Sequence, residues 1–377
     1  MIPGENLKSD QFWENDQAFI CAALAEAAID HLASHRTRGY VDATHRMIFP
    51  RSSGFIQTEA EQSSDIFVRA IVADALCDAR DAGFMDPTAI LASECNYLLE
   101  RRRRSSVGGW SYFPNLDELP CDIDDLAQIM QVFCRCGRKQ DLIDYVEPVL
   151  SVVIENGIRA DGAIGTWILP AQNRSTIEER QADFVQNAWG DGSDPDAIAN
   201  FLYALAMYDQ PRFAKVIEGG SRFLRGCQRS DGSWESTWYE GPYYGTYVCS
   251  RLLRYIADDG MLQRSYEFLL RSQLDDGGWS CSVLSNQLAT GVALCAFATI
   301  LGRRLIKPND KDCIKRAIQM LATSIHSRGW ESPVFIRMNL GRVRGANGPW
   351  RIHGNSAFTA SYVLKAVCAI KNIINSA

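Results

Sequence analysis

The sequence lacks a surplus of positive charge and lacks any long apolar run. Its 377 residues include 39 Lys and Arg against 45 Asp and Glu, for a net charge of −6. Because nonspecific affinity for DNA and RNA rests on basic contacts to phosphates, we expect no nucleic-acid partner. The longest apolar run, Gly291 to Gly302, is shorter than the roughly 18 residues that suggest a membrane span. Residues 1–16 also lack the basic and apolar sequence of a secretory leader.

Cysteine is not scarce, but its placement does not indicate disulfides. The 12 cysteines are scattered, and several stand in apolar runs, as Cys21, Cys134 and Cys295 do, where a thiol acts as a small buried hydrophobe. We therefore expect a reducing, cytoplasmic location. A peripheral contact with a membrane surface is compatible with the sequence, and the oligomeric state stays unknown. With 46% apolar residues, the chain can bury a large core.

Strand-like alternation is nearly absent, and apolar residues instead recur at helical spacing, as in Leu126, Ile129 and Phe133. A Trp also recurs in the loops between helices, at intervals of 57, 67, 45 and 51 residues. Helix pairs that cannot bury their own apolar stripes must stack on neighbouring pairs, and six pairs can close into a ring. We predict an all-α (α/α)6 barrel of inner and outer helices, forming a single domain over residues 1–377, with an open α-solenoid as the alternative. The recurring residues are Trp110, Trp167, Trp234, Trp279 and Trp330, and the predicted pairs are 14–35 with 63–80, 88–101 with 122–136, 140–157 with 194–208, 212–227 with 242–257, 261–273 with 285–302, and 311–326 with 354–373.

Three carboxylates, those of Asp122, Asp124 and Asp125, follow Pro120 at the start of the second predicted inner helix. Helix capping and the helix macrodipole explain one or two of them. A third at the mouth of a cavity makes it hard for all three to ionise, which raises at least one pKa and leaves a neutral carboxylic acid. The cluster therefore predicts a general acid.

The stretch Gly108 to Tyr112, together with Asp122 to Asp125, resembles the Asp-x-Asp-Asp motif and its Gly-Gly-aromatic lead in class II terpene cyclases related to squalene–hopene cyclase. The segments Gln228 to Trp234 and Gln273 to Trp279 resemble the Gln/Trp repeats of that family, and Tyr244 to Thr246 resembles its Tyr-Gly-Thr sequence. The usual family chain has two barrels, whereas this chain has length for one. It therefore looks like the one-domain meroterpenoid cyclases.

The resemblance implies a proton-initiated cyclisation of a linear prenyl chain, with no metal and no cofactor. Asp124, the central acid of the motif, would protonate the terminal alkene or epoxide, while Asp122 and Asp125 would position it and tune its acidity. Aromatic side chains would shelter the carbocations from water. Each candidate also has a packing role as its alternative, and the Trp residues of the repeats are expected to be structural. Tyr112, near an aromatic position of the motif, is the first candidate, followed by Trp189, Trp238, Tyr239, Tyr243, Tyr244, Trp330 and Trp350.

A second acidic cluster, Asp191, Asp194 and Asp196 with Asn200, opens the third predicted inner helix. Helix capping is one explanation. The other is that Asp196 or Asn200 reaches the cavity and hydrogen-bonds the acid or takes part in the final deprotonation. In squalene–hopene cyclase a His helps to activate the acid, and this segment has none, so the partner of the acid is open. His353, at the start of the last inner helix, is expected to be a cap.

The expected partner is a small-molecule substrate, a prenyl chain with a polar head. A prenylated aromatic acid is favoured, and a free prenyl diphosphate is the alternative. The group Arg337, Arg342, Arg344 and Arg351 could bind the head, whereas the run Arg101 to Arg104 is typical of a solvated helix end.

Other enzymes of similar build need motifs that this sequence lacks. Class I terpene synthases hold magnesium with Asp-Asp-x-x-Asp, which does not occur. Zinc protein prenyltransferase β-subunits hold their metal with Asp, Cys and His. Cys281 and His353 could mimic part of that set, but no Asp-x-Cys is present, so this class is the less favoured alternative.

Overall fold

The computed structural model describes residues 3–49, 55, 61–104, 107–302, 306–339 and 350–374, with side chains from residue 16 onward. These ranges are mostly helical, with three two-stranded antiparallel ribbons. The outer helices are α1 (Pro3–Thr37), α3 (Thr88–Glu100), α6 (Glu147–Asn156), α9 (Ala214–Cys227), α11 (Leu262–Ser272) and α13 (Pro308–Arg328). The inner helices are α2 (Ile66–Asp81), α4 (Ile123–Arg135), α8 (Pro195–Asp209), α10 (Tyr243–Tyr255), α12 (Gln287–Leu301) and α14 (Ser356–Ile374). The remaining elements are α5 (Lys139–Asp141), α7 (Thr176–Phe184), and the strands β1 (His45–Ile48), β2 (Glu61–Ser64), β3 (Cys121–Asp122), β4 (Trp167–Ile168), β5 (Ile336–Asn339) and β6 (Trp350–His353).

The six inner helices form a closed ring. Each packs on the next in the order α2, α4, α8, α10, α12 and α14, and α14 packs on α2. The outer helices lie behind them, so that α1, for example, packs on both α14 and α2. Closure confirms the predicted (α/α)6 barrel, because the two ends of an open solenoid would not meet.

The observed helices match the predicted pairs, with differences at their ends. The first helix begins at Pro3 rather than near residue 14. The outer helix predicted over 140–157 is divided, since a π-helical segment, Leu142–Val146, precedes α6. The sequence pattern does not predict α7 or the ribbons, because such short elements depend on tertiary pairing more than on periodicity.

Three of the recurring Trp side chains share one structural role. They are fully buried, and each indole N–H donates to a carbonyl oxygen near the end of the preceding outer helix. Trp110 donates to Leu98 at 2.7 Å, Trp234 to Leu224 at 2.8 Å and Trp279 to Leu269 at 3.0 Å. This agrees with the structural role expected for the repeat.

Glycine is required beside two of these Trp residues. Gly232 and Gly277 have φ values of +95° and +91°, in the left-handed region that side chains disfavour. A Cβ at Gly232 would lie 2.2 Å from the carbonyl oxygen of Arg264, and one at Gly277 would lie 2.6 Å from that of Arg316. The Gln/Trp repeat therefore lets each loop touch the backbone of the next outer helix.

Buried charges link the inner helices at the end of the ring where α2 and α4 finish. Asp74 accepts hydrogen bonds from Lys365 Nζ at 2.5 Å and from Arg135 Nη1 at 2.7 Å. Lys365 Nζ is also 2.6 Å from Asp78, and Arg135 Nη2 is 2.8 Å from the same carboxylate. Because α2, α4 and α14 all contribute, we call this set the basal ion network.

Helix α14 is the one described helix that is long and apolar enough to cross a membrane by length and composition. It is an inner helix of the barrel, and 78% of its most apolar window is buried in the structure. Its composition is that of a core helix.

Candidate active site

A cavity opens at the end of the barrel where α4 begins. Its walls are mostly aromatic and aliphatic, and the three acidic side chains of the motif line it. About 50 Å³ is open to the centres of water-sized molecules, which is room for a few waters at roughly 10–15 Å³ each. The lining residues are Phe67, Tyr112, Leu119, Asp122, Asp124, Asp125, Thr166, Trp167, Trp189, Trp238, Tyr239, Ile336 and Met338.

Asp122 fixes the backbone of the acid motif. It is the N-cap of α4, and its Oδ1 accepts hydrogen bonds from the backbone N–H groups of Asp124 at 3.0 Å and Asp125 at 2.8 Å. Its own backbone is extended and pairs with Trp167 in the β3–β4 ribbon. Burial raises the pKa of Asp122 to about 7, against the backbone hydrogen bonds that lower it. The capping role and the place in the cavity wall therefore belong to one residue.

Asp124 is held by two neutral donors. Asn200 Nδ2 donates to its Oδ1 at 2.7 Å, and the Tyr239 hydroxyl donates to its Oδ2 at 2.5 Å. Burial raises the pKa of Asp124, while these two hydrogen bonds act in the opposite direction. A proton held by Asp124 would therefore leave behind a carboxylate that already has two donors in place.

Asp125 has a different environment. Neither of its carboxyl oxygens accepts a hydrogen bond from an N–H or O–H donor among the described residues, and its carboxyl lies beside that of Asp122. Burial and the nearby charges of Asp122 and Asp124 raise its pKa well above the ordinary value. Burial and the neighbouring charges thus favour the neutral form of Asp125, whereas the conjugate base of Asp124 is the better stabilised of the two.

The second acidic cluster positions the loop that carries Tyr239. The Oδ2 of Asp196 accepts a hydrogen bond from the backbone N–H of Thr237 at 2.9 Å. Asp194 accepts from the indole N–H of Trp238 at 2.9 Å. Within this cluster, Asn200 contacts the acid Asp124, whereas the Asp196 carboxylate holds the loop. Asp191 is exposed and pairs with Arg159.

The aromatic wall of the cavity includes predicted and unpredicted residues. Tyr112, Trp189 and Trp238 line it as predicted. Trp167 lies between two of them, with ring centroids 6.1 Å from Trp189 and 5.7 Å from Trp238. Trp167 differs from the other repeat Trp residues because it lines the cavity and its indole donates to Gly190 instead of an outer helix. Phe67, Ile336 and Met338 are also missed, because nothing in their sequence setting distinguishes them from ordinary core residues.

A second cavity lies beyond Tyr239, with about 380 Å³ open to the centres of water-sized molecules. The ring of Tyr239 is 4.0 Å from that of Tyr244 and 4.8 Å from that of Phe335, and both of these line the second cavity. These three rings separate the two cavities. Tyr243, also predicted as a cavity residue, lines the second cavity together with Glu240.

Three further predicted aromatic or basic site residues, Trp330, Arg337 and Trp350, line neither of the two cavities. Trp330 stacks on His31, with ring centroids 5.3 Å apart, because it follows an outer helix. Arg337 alternates with Ile336 and Met338 along β5, so its side chain takes the other face of the strand, where its guanidinium is 3.8 Å from Glu240. Trp350 is 51% exposed and lies 5.0 Å from that guanidinium. Arg342 and Arg344 lie outside the described residues.

Two histidines, His45 and His353, lie next to the cavity residue Tyr112, and the sequence does not predict this arrangement. His45 Nδ1 is 3.0 Å from the Tyr112 hydroxyl, and its ring stacks on His353 at 4.2 Å. Burial and the neighbouring His353 lower the pKa of His45 to about 3, so its imidazole is neutral near pH 7. The cap of the last inner helix is Asn355, whose Oδ1 accepts from the backbone of Phe358 at 3.0 Å. His353, expected to be that cap, is instead 3.0 Å from the Asn355 amide.

No group of three or more His, Cys, Asp and Glu side chains within the described residues has the arrangement of a metal site. Cys281 is exposed on the second cavity, whereas His353 stacks on His45. These two residues are therefore engaged separately.

Solved structures of type II terpene cyclases share this architecture. MstE from Scytonema, in one structure without ligand, matches with a TM-score of 0.71 at 18% identity, over 95% of this chain and 99% of that chain. Another MstE structure, with the same score, identity and coverage, is a complex with the substrate geranylgeranyl dihydroxybenzoate. The ent-copalyl diphosphate synthase from Streptomyces platensis matches with a TM-score of 0.56 at 18% identity, over 81% of this chain and 50% of that chain. The fold is that of the type II, or class II, terpene cyclases.

The sequence comparison identifies the family. The model of the squalene-hopene cyclase C-terminal domain matches residues 92–336, and the chain belongs to that family. The squalene–hopene cyclase of Bradyrhizobium diazoefficiens is 24% identical in an alignment of 284 positions, and this alignment covers 71% of this chain and 41% of the relative. The chain thus spans about two fifths of the length of that curated relative.

Proposed function

We propose that this protein catalyses the proton-initiated cyclisation of a linear prenyl chain, with a prenylated aromatic acid as its substrate. The observation that carries the proposal is the setting of Asp124. Its carboxyl lines a cavity with aromatic walls and is buried, while both of its oxygens accept hydrogen bonds from neutral donors. This is what a carboxylic acid needs in order to protonate a weak base such as an alkene.

In the first step, neutral Asp124 gives its proton to the terminal alkene carbon. The alkene π pair forms the new C–H bond, and the positive charge is left on the more substituted carbon. The Asp124 carboxylate is stabilised by the N–H of Asn200 and the O–H of Tyr239, which become charge-assisted hydrogen bonds at that moment. Successive alkenes of the chain then close rings, and loss of a proton ends the reaction, so the product is an isomer of the substrate.

The cavity walls suit a carbocation. The faces of Trp167, Trp189 and Trp238 present negative quadrupoles, each worth about 2 kcal/mol toward a desolvated cation. The indole N–H groups of Trp167 and Trp238 donate to Gly190 and Asp194, so they are not free to order water beside the cation. Exclusion of water favours ring closure over quenching.

The lining of the two cavities favours an aromatic head group over a diphosphate. No Lys or Arg is among the described residues that line either cavity, although a diphosphate is bound by such cations. Arg337, paired with Glu240 of the second cavity, is placed to exchange that partner for a carboxylate of the substrate. The complex of MstE with a prenylated dihydroxybenzoate gives further support.

The smaller cavity is narrow, so binding must separate its walls. Only about 50 Å³ of the acid-lined cavity is open to the centres of water-sized molecules, against about 380 Å³ in the second cavity, so a long prenyl chain would need both. Displacement of the rings of Tyr239, Tyr244 and Phe335 would join the two cavities into one. The terminal alkene would then lie at Asp124, and the polar head would lie beyond Tyr239.

The test is incubation of the purified protein with farnesyl and geranylgeranyl compounds that carry an aromatic acid, a diphosphate or no head group. Each incubation is run in EDTA and in magnesium, and the products are analysed by chromatography and mass spectrometry. We expect an isomeric product of unchanged mass from the aromatic acid, equally with and without magnesium. A magnesium-dependent product from the diphosphate alone would replace the proposed substrate class. A product of changed mass would point to transfer or hydrolysis and contradict the proposal.

A further inference from the structure

The amide of Asn200 has a fixed orientation. Its Oδ1 accepts hydrogen bonds from Gln131 Nε2 at 2.7 Å and from Arg251 Nη2 at 2.7 Å. Two donors on one oxygen leave the Nδ2 group as the only side of the amide that can face Asp124. A continuous chain therefore runs from the guanidinium of Arg251 through the Asn200 amide to the acid.

Arg251 is a mostly buried cation that the basal ion network does not require. Its side chain is 12% exposed, and its nearest carboxylate contact, Asp74, is at 4.0 Å. Asp74 already has Lys365 and Arg135 at 2.5 and 2.7 Å. The guanidinium also lies over the ring of Tyr203 at 4.2 Å, and it keeps its charge because arginine is not deprotonated in proteins.

We propose that Arg251 is a positioning residue that increases the acidity of Asp124 through Asn200. The cation polarises the Asn200 amide, which strengthens the N–H···O hydrogen bond more toward the carboxylate than toward the neutral acid. An interaction that is stronger after proton transfer than before it lowers the barrier. This inference rests on the proposed role of Asp124 as the proton donor. The acid segment contains no histidine. Arg251 thus supplies a positive charge to Asp124 indirectly, through Asn200.

The pH dependence follows from the same geometry. The enzyme is active with Asp124 protonated, so kcat should fall as pH rises through the pKa of that carboxyl in the substrate complex. Removal of a cation that favours the carboxylate raises the pKa of Asp124. The fall in kcat then occurs at higher pH, and the constant kcat reached at low pH is smaller. The other groups that face Asp124 are Asp125 from α4 and its N-cap Asp122, Asp196 from α8 and its N-cap Asp194, Tyr244 from α10, and Tyr239 from its loop.

The experiment measures kcat against pH for wild type, Arg251→Met and Arg251→Lys, with the substrate that the wild type cyclises. We expect Arg251→Met to lose at least about tenfold in plateau kcat, the lower range for a hydrogen bond to a charged group, and to shift the alkaline limb upward. Arg251→Lys keeps the charge and should recover part of both effects. Arg254→Gln is the matched control, because Arg254 lies one turn further along α10 and pairs with Asp259 at the surface.

A double-mutant cycle separates the inference from a structural role. If Arg251 acts through Asn200, the Arg251→Met change should have little further effect on kcat in an Asn200→Ala background. A loss in Arg251→Met with an unshifted pH limb, or additive losses in the double variant, would overturn the inference. Failure of the proposed function is recognised separately, since the wild type would then give no cyclised product or Asp124→Asn would keep full activity. Thermal unfolding of each variant shows whether it is folded.

Discussion

The two ends of the barrel bury aspartates in opposite electrostatic settings. At the cavity end, Asp124 accepts hydrogen bonds from neutral donors, Asp125 lies near the other two carboxyls of the motif, and burial raises the pKa of both. In the basal ion network, Asp74 is just as buried, but Lys365 and Arg135 overcome the effect of burial and hold its pKa below the usual range. The comparison teaches that the charges within hydrogen-bond reach, more than burial alone, decide whether an aspartate in this barrel is an acid or an anion.

The two ends of the barrel therefore have different roles, one in stability and one in proton donation. A buried ion pair that is complete adds little net stability, but loss of one partner leaves an uncompensated charge. The basal ion network therefore holds three inner helices in place. At the cavity end, the buried carboxyls have few partners and therefore lower the stability of the fold. The same carboxyls provide a proton donor.

The largest expected effect is the loss of activity in Asp124→Asn. The amide cannot donate a carboxylic proton, so we expect cyclisation to fall by at least about 10³-fold, within the range for general acids. The fold should be unchanged, which circular dichroism and thermal unfolding check. Asp191→Asn, at an exposed position in the loop before α8, serves as the control and should keep wild-type activity. Wild-type activity in Asp124→Asn would contradict the mechanism.

The converse effect is expected at the other end. Asp74→Asn leaves Lys365 and Arg135 short of a partner, and we expect it to lower the free energy of unfolding at pH 7 by about 3 kcal/mol. Because the folded pKa of Asp74 is depressed, this contribution is present above the unfolded value of about 3.9 and is lost as pH falls further. Urea unfolding at pH 7 and pH 3 measures the difference between variant and wild type. Equal destabilisation at both pH values would show that the carboxylate charge is not responsible.

A smaller effect is expected for Tyr239→Phe. The variant loses the donor to Asp124 Oδ2 but keeps the ring, and we expect kcat to fall by about 10- to 100-fold, since hydrogen bonds to charged groups contribute roughly 1.5–3 kcal/mol. Tyr97→Phe is the matched control, because it breaks a tyrosine–aspartate hydrogen bond of 2.8 Å, to Asp65, away from the cavity. If both variants lose activity to the same extent, the hydroxyl of Tyr239 has no special relation to the acid.

The smallest expected effect is a gain in stability. Since the folded pKa of Asp125 is raised, the folded chain holds a proton that the unfolded chain releases above about pH 3.9, and this difference costs stability as pH rises. The free energy of unfolding of Asp125→Asn should therefore exceed that of the wild type by about 1 kcal/mol at pH 7. This difference should grow between pH 4 and pH 7. Calorimetry across that range measures it, and a loss of stability at pH 7 would show that the ionised form is favoured.

Much of the fold follows from local sequence. Helical periodicity and the recurring Trp predict the six helix pairs, because each pair repeats one local pattern and one contact to the next outer helix. The Asp motif is also readable, since its capping role and its charge density are properties of adjacent residues. Asn200 is predictable for the same reason, because it lies one helical turn after Asp196 and therefore on the same face of α8.

The rest of the site depends on contacts between distant segments. Trp167 has the sequence setting of the structural Trp residues, and its pairing with Asp122 in the β3–β4 ribbon brings it into the cavity wall. His45 reaches Tyr112 from the first ribbon, 67 residues away. Trp330 and Trp350 look like cavity aromatics in sequence. Trp330 instead follows an outer helix and stacks on His31, and Trp350 is exposed at the start of β6. The alternation along β5 likewise separates Arg337 from its neighbours Ile336 and Met338, which line the acid cavity.

The central claim is that the reaction begins with a proton from an exchangeable carboxyl. The most direct test is cyclisation in D₂O by the wild-type protein, followed by mass spectrometry and NMR of the product. The account predicts one deuterium per molecule, fixed at the carbon of the former terminal alkene and not lost on return to H₂O. A cyclic product without deuterium at that carbon would contradict it.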